Sequence, residues 1–268
     1  MERRKYIKYS LIPGLGTVGR SKLMRLCGSI DACFEMSGDD ILAADKAVSR
    51  EHRIGEKRLR SFIDNRDSPI LEHRTDELIA GCKEMGIYII TADDAEYPKR
   101  FSGLNDMPFV LYIRGRLDIN NHSRSVGIVG ARRCSHEGKF DAISCAGMET
   151  EKGNAIISGM AKGIDSYAHT AALKNNGYTI AVLGCGPDIC YPIEHEDLYN
   201  EIIRKGCILS EYPPGTNPRK YMFPARNRLI AALSDKLYVI EAGRNSGTES
   251  TIRSCIKYGR EYHRNAIF

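Results

Sequence analysis

The sequence predicts an α/β protein whose second part is a parallel sheet covered by helices, preceded by a small helical region. Three observations lead there. From Val126 onward short apolar runs alternate with longer amphipathic segments, the residues just after each run are rich in Gly, and residues 1–85 carry mostly helical spacing.

In the first region, helices are predicted over Ser21–Cys27, Asp39–Ala47, Glu56–Asn65 and Thr75–Met85. Leu59, Phe62 and Ile63 recur at helical intervals in the third, and Leu78, Ile79 and Cys82 in the fourth. Gly86 ends the last helix, and Ile87–Ile90 comes next as a short strand. A polar stretch with Asp118, Asn120, Asn121 and Ser123 marks a linker between Leu117 and Ser125. The chain thus divides into a helical domain (1–85), a sheet domain (125–268), and between them a connecting segment (86–124) expected to pack on the sheet domain.

The strand candidates of the sheet domain are Val126–Val129, Ala155–Ile157, Ile180–Leu183, Ile208–Leu209 and Leu237–Ile240. Helices are expected over Gly138–Lys152, Asp165–Asn175, Glu196–Lys205, Arg226–Ala232 and Thr248–Tyr258. Apolar runs without polar alternation suit strands buried on both faces, the condition of a parallel sheet.

Composition excludes several classes. With 268 residues, 42% hydrophobic and 27% charged, the chain is long enough for a real core and ordinary for a globular protein. No apolar run approaches the roughly 20 residues of a membrane span, and the polar, basic Met1–Ser10 argues against a secretory signal and for the cytoplasm. The nine cysteines form no C-x-x-C pair, so neither a disulfide framework nor a metal site is expected. A net charge of +5 permits an anionic partner without demanding one.

Ligands of open parallel sheets bind beyond the carboxyl ends of the strands. There the sequence has Gly130-Ala131-Arg132-Arg133, Ser158-Gly159-Met160-Ala161-Lys162-Gly163-Ile164-Asp165, Gly184-Cys185-Gly186 and Glu241-Ala242-Gly243-Arg244-Asn245-Ser246-Gly247-Thr248. Any one of these loops is also what a tight strand-to-helix turn needs, but four on one rim suggest an edge that receives phosphates. Neither a dinucleotide fingerprint nor a Walker A loop is present. Lys220-Tyr221-Met222-Phe223-Pro224-Ala225-Arg226-Asn227-Arg228 interleaves cations with rings, a pattern suited to single-stranded nucleic acid. The same residues also suit a solvated helix start. Asp165 with His169, and Glu241, are the candidates for acid/base chemistry, against roles as a helix cap and a locally bonded imidazole. Ile12-Pro13-Gly14-Leu15-Gly16 is a helix-hairpin-helix-like turn that either meets a DNA phosphate or simply joins helices.

These residues resemble the DNA processing protein A family, also called DprA or Smf. SGMAKGID with Ala168-His169 is similar to its SG-x-A-[RK]-GID...AH segment, Phe223–Arg228 to its FP-x-RNR, and Glu241-Ala242-Gly243 with Ser246-Gly247 to its EA...SG. Asp93-Asp94, Tyr97-Pro98, Leu104, Pro108 and Leu111-Tyr112 to Gly115 resemble its approach segment, and Pro13–Gly16 with Leu26–Ser29 its helical N-terminal domain.

The resemblance implies a Rossmann-like domain after a sterile-alpha-motif-like helical domain. It further implies a homodimer that binds and protects single-stranded DNA and helps load the RecA recombinase in natural transformation. No catalytic residue and no cofactor are implied. Carried over by position, the DNA-binding residues are Arg132, Ser158, Gly159, Lys162, Lys220, Phe223, Arg226, Asn227 and Arg228. The chain departs from the family after Glu261, where no final strand is assigned, and at Glu249 and Ile252, near the surface used for dimerisation and RecA contact. A duplex-binding role such as the winged-helix domain of some members supplies is not expected. The competing reading is a Rossmann-like enzyme of the lysine-decarboxylase-like type that cleaves nucleoside monophosphates, whose Pro-Gly-Gly loop is missing here.

Overall fold

The computed structural model describes residues 2–243, 247–265 and 267–268. They form two compact units. The first contains α1 (Glu2–Leu11), α2 (Thr17–Cys27), α3 (Ile30–Glu35), α4 (Gly38–Ala47), α5 (Glu56–Asn65) and α6 (Pro69–Glu84), and it takes in Ile89–Ala95 and Gly103–Val110. Its centre is aromatic: Tyr9 meets Phe62 and Phe109 edge-on, each at 5.7 Å between ring centres, and Tyr6 stacks on Phe109 at 6.1 Å. Phe109 therefore belongs to the helical core. The expected connecting segment 86–124 is accordingly shared between the units instead of packing wholly on the sheet domain.

Two helices escaped the sequence pattern. α1 is rich in Lys and Arg, yet Tyr6, Ile7 and Tyr9 are buried, and α3 is too short to show a period. The Pro13–Gly16 turn is stapled from behind. Arg20 donates to the carbonyls of Tyr9, Ser10 and Ile12, satisfying groups that the end of α1 would leave open, while Gly14 turns with φ at +91°.

The second unit contains most of a sheet ordered β2-β6-β5-β4-β3-β7-β8. Its strands are β2 (Val110–Gly115), β3 (Ser125–Gly130), β4 (Ala155–Ser158), β5 (Thr179–Val182), β6 (Cys207–Ser210), β7 (Lys236–Ile240) and β8 (Glu261–Arg264); β1 (Tyr88–Thr91) precedes them. β2 runs antiparallel to β6, and every pairing from β6 to β8 is parallel. The intervening helices are α7 (His136–Glu151), α8 (Ile164–Lys174), α9 (Glu196–Lys205), α10 (Met222–Leu233) and α11 (Thr248–Lys257).

Parallel neighbours need crossovers, and the helices supply them while burying the sheet. One cluster joins Val126, Ile128 and Ile156 to Ala142, Ala146, Ala168 and Ala172. A second joins Ala181 and Ile208 to Leu173 and Ile202. Fully burying each Ile or Leu is worth about 1.5–3 kcal/mol. The small Ala and Cys residues of α7 and α8 let those helices lie close together.

β8 corrects the expectation for the C-terminal end of the chain. Glu261–Arg264 is polar throughout, but it pairs in register with Lys236–Val239. Lys236 bridges to Glu261 at 3.1 Å, and Arg264 pairs with Glu249 of α11. An edge strand needs a backbone partner more than an apolar pattern.

Sheet building changes direction at β3, with β4 on one side and β7 on the other. The carboxyl ends of the strands at such a switch point are where open α/β sheets take their ligands, and the Gly-rich loops lie there. Backbones approach so closely there that a Cβ on Gly130 would stand 1.9 Å from the Ile240 carbonyl oxygen.

Candidate nucleic-acid interface

Two loops of the rim are locked together by backbone contacts. The Ile164 N–H donates to the Ala131 carbonyl at 3.2 Å, and Gly163, with φ at +80°, fits so tightly that a Cβ would meet the same carbonyl at 2.3 Å. The loop bearing Lys162 thus lies against the loop bearing Arg132. Asp165, in the first turn of α8, shapes the former by accepting the N–H groups of Gly159 at 3.1 Å and Ala161 at 3.4 Å. Burial pushes its carboxyl up, against the opposing pull of the nearby Arg226 charge.

The nine expected DNA-binding residues fall into two groups. Arg132, Lys162 and Lys220 are exposed, and Phe223 is half-buried. The Arg132 guanidinium stands over the Phe223 ring at 5.8 Å, placing a cation and an aromatic face side by side. Lys162 pairs with Glu194 at 2.6 Å, with both side chains more than half exposed. Lys220 lies in the turn that leads into α10, whose first turn carries Phe223.

The remaining five build the floor. The Ser158 hydroxyl is buried and donates to the Ile128 carbonyl at 2.6 Å, and the Gly159 N–H is held by Asp165. Arg226 is buried, donating to the carbonyls of Gly159, at 3.0 Å, and Val182; burial lowers the pKa of its guanidinium. Asn227 ties α10 to the start of α11 through the Gly247 carbonyl at 3.1 Å and the Ser250 hydroxyl at 2.9 Å. Arg228 grips Glu211 with two parallel bonds of 2.7 and 2.6 Å. Charge in the FPARNR segment is therefore largely spent inside the protein.

Two further residues join the rim. Tyr191, 46% exposed, stands 5.4 Å from Phe223, and Glu194 occupies Lys162. Tyr191-Pro192 reads in the sequence as an extended or turn position, and only the chain's return to the rim gives it a role.

The acid/base candidates are engaged elsewhere. His169 is fully buried, its Nδ1 2.7 Å from the Thr179 hydroxyl, and burial pushes its imidazole down to about 3. Glu241 accepts the Ser135 N–H at 2.8 Å and its hydroxyl at 2.9 Å, holding the start of α7. Of the late loop, Arg244, Asn245 and Ser246 lie outside the described residues. Among the described residues no cluster of His, Cys, Asp or Glu could hold a metal ion, and no helix is long and apolar enough to cross a membrane.

Residues 88–264 match the sequence model of the DNA recombination-mediator protein A family. The chain belongs to that family. It is similar to protein Smf of Synechocystis, 33% identical over 99% of this chain and 64% of the relative. It is also similar to the DNA processing protein DprA of Streptococcus pneumoniae, 43% identical over 62% of this chain and 58% of the relative. The chain thus spans somewhat less than two thirds of these relatives' lengths. Its fold matches the crystal structure of the S. pneumoniae family member with a TM-score of 0.75 over 96% of this chain and 83% of that one, at 31% identity. A Helicobacter pylori family member, whose structure is described for its single-stranded DNA binding mode, matches with a TM-score of 0.60 at 35% identity, over 65% of this chain and 79% of that one.

Proposed function

We propose that this rim binds single-stranded DNA, and that the chain protects the strand and helps load RecA recombinase onto it. In this reading it acts as a cytoplasmic homodimer in DNA processing during transformation, without catalytic turnover. The observation that carries the reading is the Arg132 guanidinium over the half-buried Phe223 ring, with Lys162 and Lys220 exposed on the same side of the sheet. An unpaired strand offers what this arrangement takes: phosphates for the cations and a free base face for the ring. Duplex DNA hides its base faces, and a mononucleotide engages too few of the charges. The single-stranded DNA binding described for the H. pylori relative supports the same reading.

The test is fluorescence anisotropy with a labelled polythymidine oligonucleotide, competed with duplex DNA and with AMP at two salt concentrations. Tight, salt-sensitive binding that neither competitor displaces is the expected result. Absent binding, or displacement by AMP, refutes the reading and returns attention to Asp165, His169 and Glu241.

A further inference from the structure

We propose that Tyr191 is a second base-stacking residue of the rim, forming with Phe223 a two-ring platform for successive unpaired bases. The inference rests on the single-stranded DNA reading above and names a residue that the motif resemblance does not reach.

An exposed tyrosine is not informative by itself. Tyr191 is distinguished by its surroundings. Its ring centre lies 5.4 Å from that of Phe223, with the planes 34° apart, and the Arg132 guanidinium also stands over Phe223, at 5.8 Å. Ring, ring and cation thus adjoin on one rim. Tyr199, on the next helix, is only 4% exposed and shows what a packing tyrosine looks like here, whereas Tyr191 leaves 46% of itself open.

The segment carrying the ring is tied down on several sides. The Gly186 N–H donates to the Thr216 carbonyl at 2.8 Å, Tyr199 donates to the Pro187 carbonyl, and His195 Nδ1 lies 3.1 Å from the Met160 carbonyl. Gly184 leaves room for the Phe223 edge, since a Cβ there would stand 3.0 Å from Cδ1. Three residues beyond Tyr191, Glu194 reaches Lys162 on the neighbouring loop. A ring held in place before binding loses little freedom when a base lands on it, and stacking tolerates any base because every base has a flat face.

The test uses the full chain and labelled polythymidine at two salt concentrations. Tyr191→Leu is expected to weaken binding about tenfold while the salt dependence stays that of the parent, because stacking releases no counterions. Tyr191→Phe should bind like the parent. The chain contains no tryptophan, so Tyr191→Trp installs a single reporter, whose emission should be quenched when polythymidine binds. Parent-like affinity in Tyr191→Leu, or unquenched emission from strand-bound Tyr191→Trp protein, overturns the inference. If the leucine variant fails to fold, the tryptophan variant decides. Phe223→Leu separates the two levels of failure: a parent that does not bind the strand removes the functional reading itself, whereas binding lost in Phe223→Leu but kept in Tyr191→Leu removes only the role of Tyr191.

Discussion

The Arg226 guanidinium lies flat against Gly159: Nη1 donates to the Gly159 carbonyl at 3.0 Å, and a Cβ on Gly159 would come within 2.6 Å of Nη2. Glycine and arginine, distant in sequence, therefore define the floor of the rim together. Asp165, holding the N–H of the same glycine, lies close enough for its charge to favour that of Arg226. Arg226→Ala would strand the Gly159 and Val182 carbonyls and leave a buried carboxyl without its opposing charge. We expect a loss of about 3–5 kcal/mol in urea unfolding, with strand binding falling as a consequence of the damaged floor. Full stability in this variant would show that Arg226 is not a structural residue.

The exposed cations should behave in the opposite way. Arg132→Glu and Lys220→Glu are expected to leave the thermal midpoint within a few degrees of the parent and to weaken polythymidine binding strongly. Each lost phosphate contact should flatten the logarithmic salt dependence by about 0.7. Two folded variants with parent affinity would remove both residues from the interface.

In the single-stranded DNA reading, Glu194 competes with phosphate for Lys162. The pair is exposed and screened by solvent, so it contributes little to stability, yet a phosphate arriving at Lys162 would have to displace a carboxylate already 2.6 Å away. Glu194→Gln should tighten strand binding a few-fold without shifting the thermal midpoint. A double-mutant cycle checks the mechanism: in a Lys162→Gln background the same change should have little effect. An equal gain in both backgrounds would mean that Glu194 acts through the general field of the rim.

His169 makes the fold sensitive to acid. The Thr179 hydroxyl donates to the Ile156 carbonyl at 2.8 Å, so it accepts from His169 Nδ1–H, and the second ring nitrogen, Nε2, is buried without a partner. Protonation there would bury an unpaired charge, which is why burial, aided by Arg226, drives the imidazole from 6.5 down to about 3. The unfolded chain then binds a proton that the folded chain refuses. Stability is lost as pH falls from about 6.5 toward 3, by at most about 1.4 kcal/mol per pH unit. Asp165, whose carboxyl is pushed up by burial, contributes in the opposite sense. The difference between parent and His169→Gln unfolding curves isolates the histidine, and identical pH slopes would refute the assignment.

Much of this protein was legible as sequence because the signals are local. Apolar runs, helical intervals and Gly punctuation placed α5 and α9 at their observed bounds, and β3 to β7 and their rim loops to within a few residues. Exposed Arg132, Lys162 and Lys220 could be picked out because a solvated cation needs no particular partner. The polar strand β8 stayed hidden because its support comes from β7 and from Glu249, neither of which marks Glu261–Arg264 as a strand. Tertiary structure alone decided that Arg226 and Arg228 turn inward while Arg132 faces out, that Phe109 joins the helical core, and that Tyr191 returns beside Phe223. Chemical type and spacing are carried by neighbouring residues, whereas burial and partnership depend on chain segments many residues apart. An arginine reads the same in sequence whether its hydrogen bonds go to a phosphate or, as with Arg226, to the carbonyls of Gly159 and Val182.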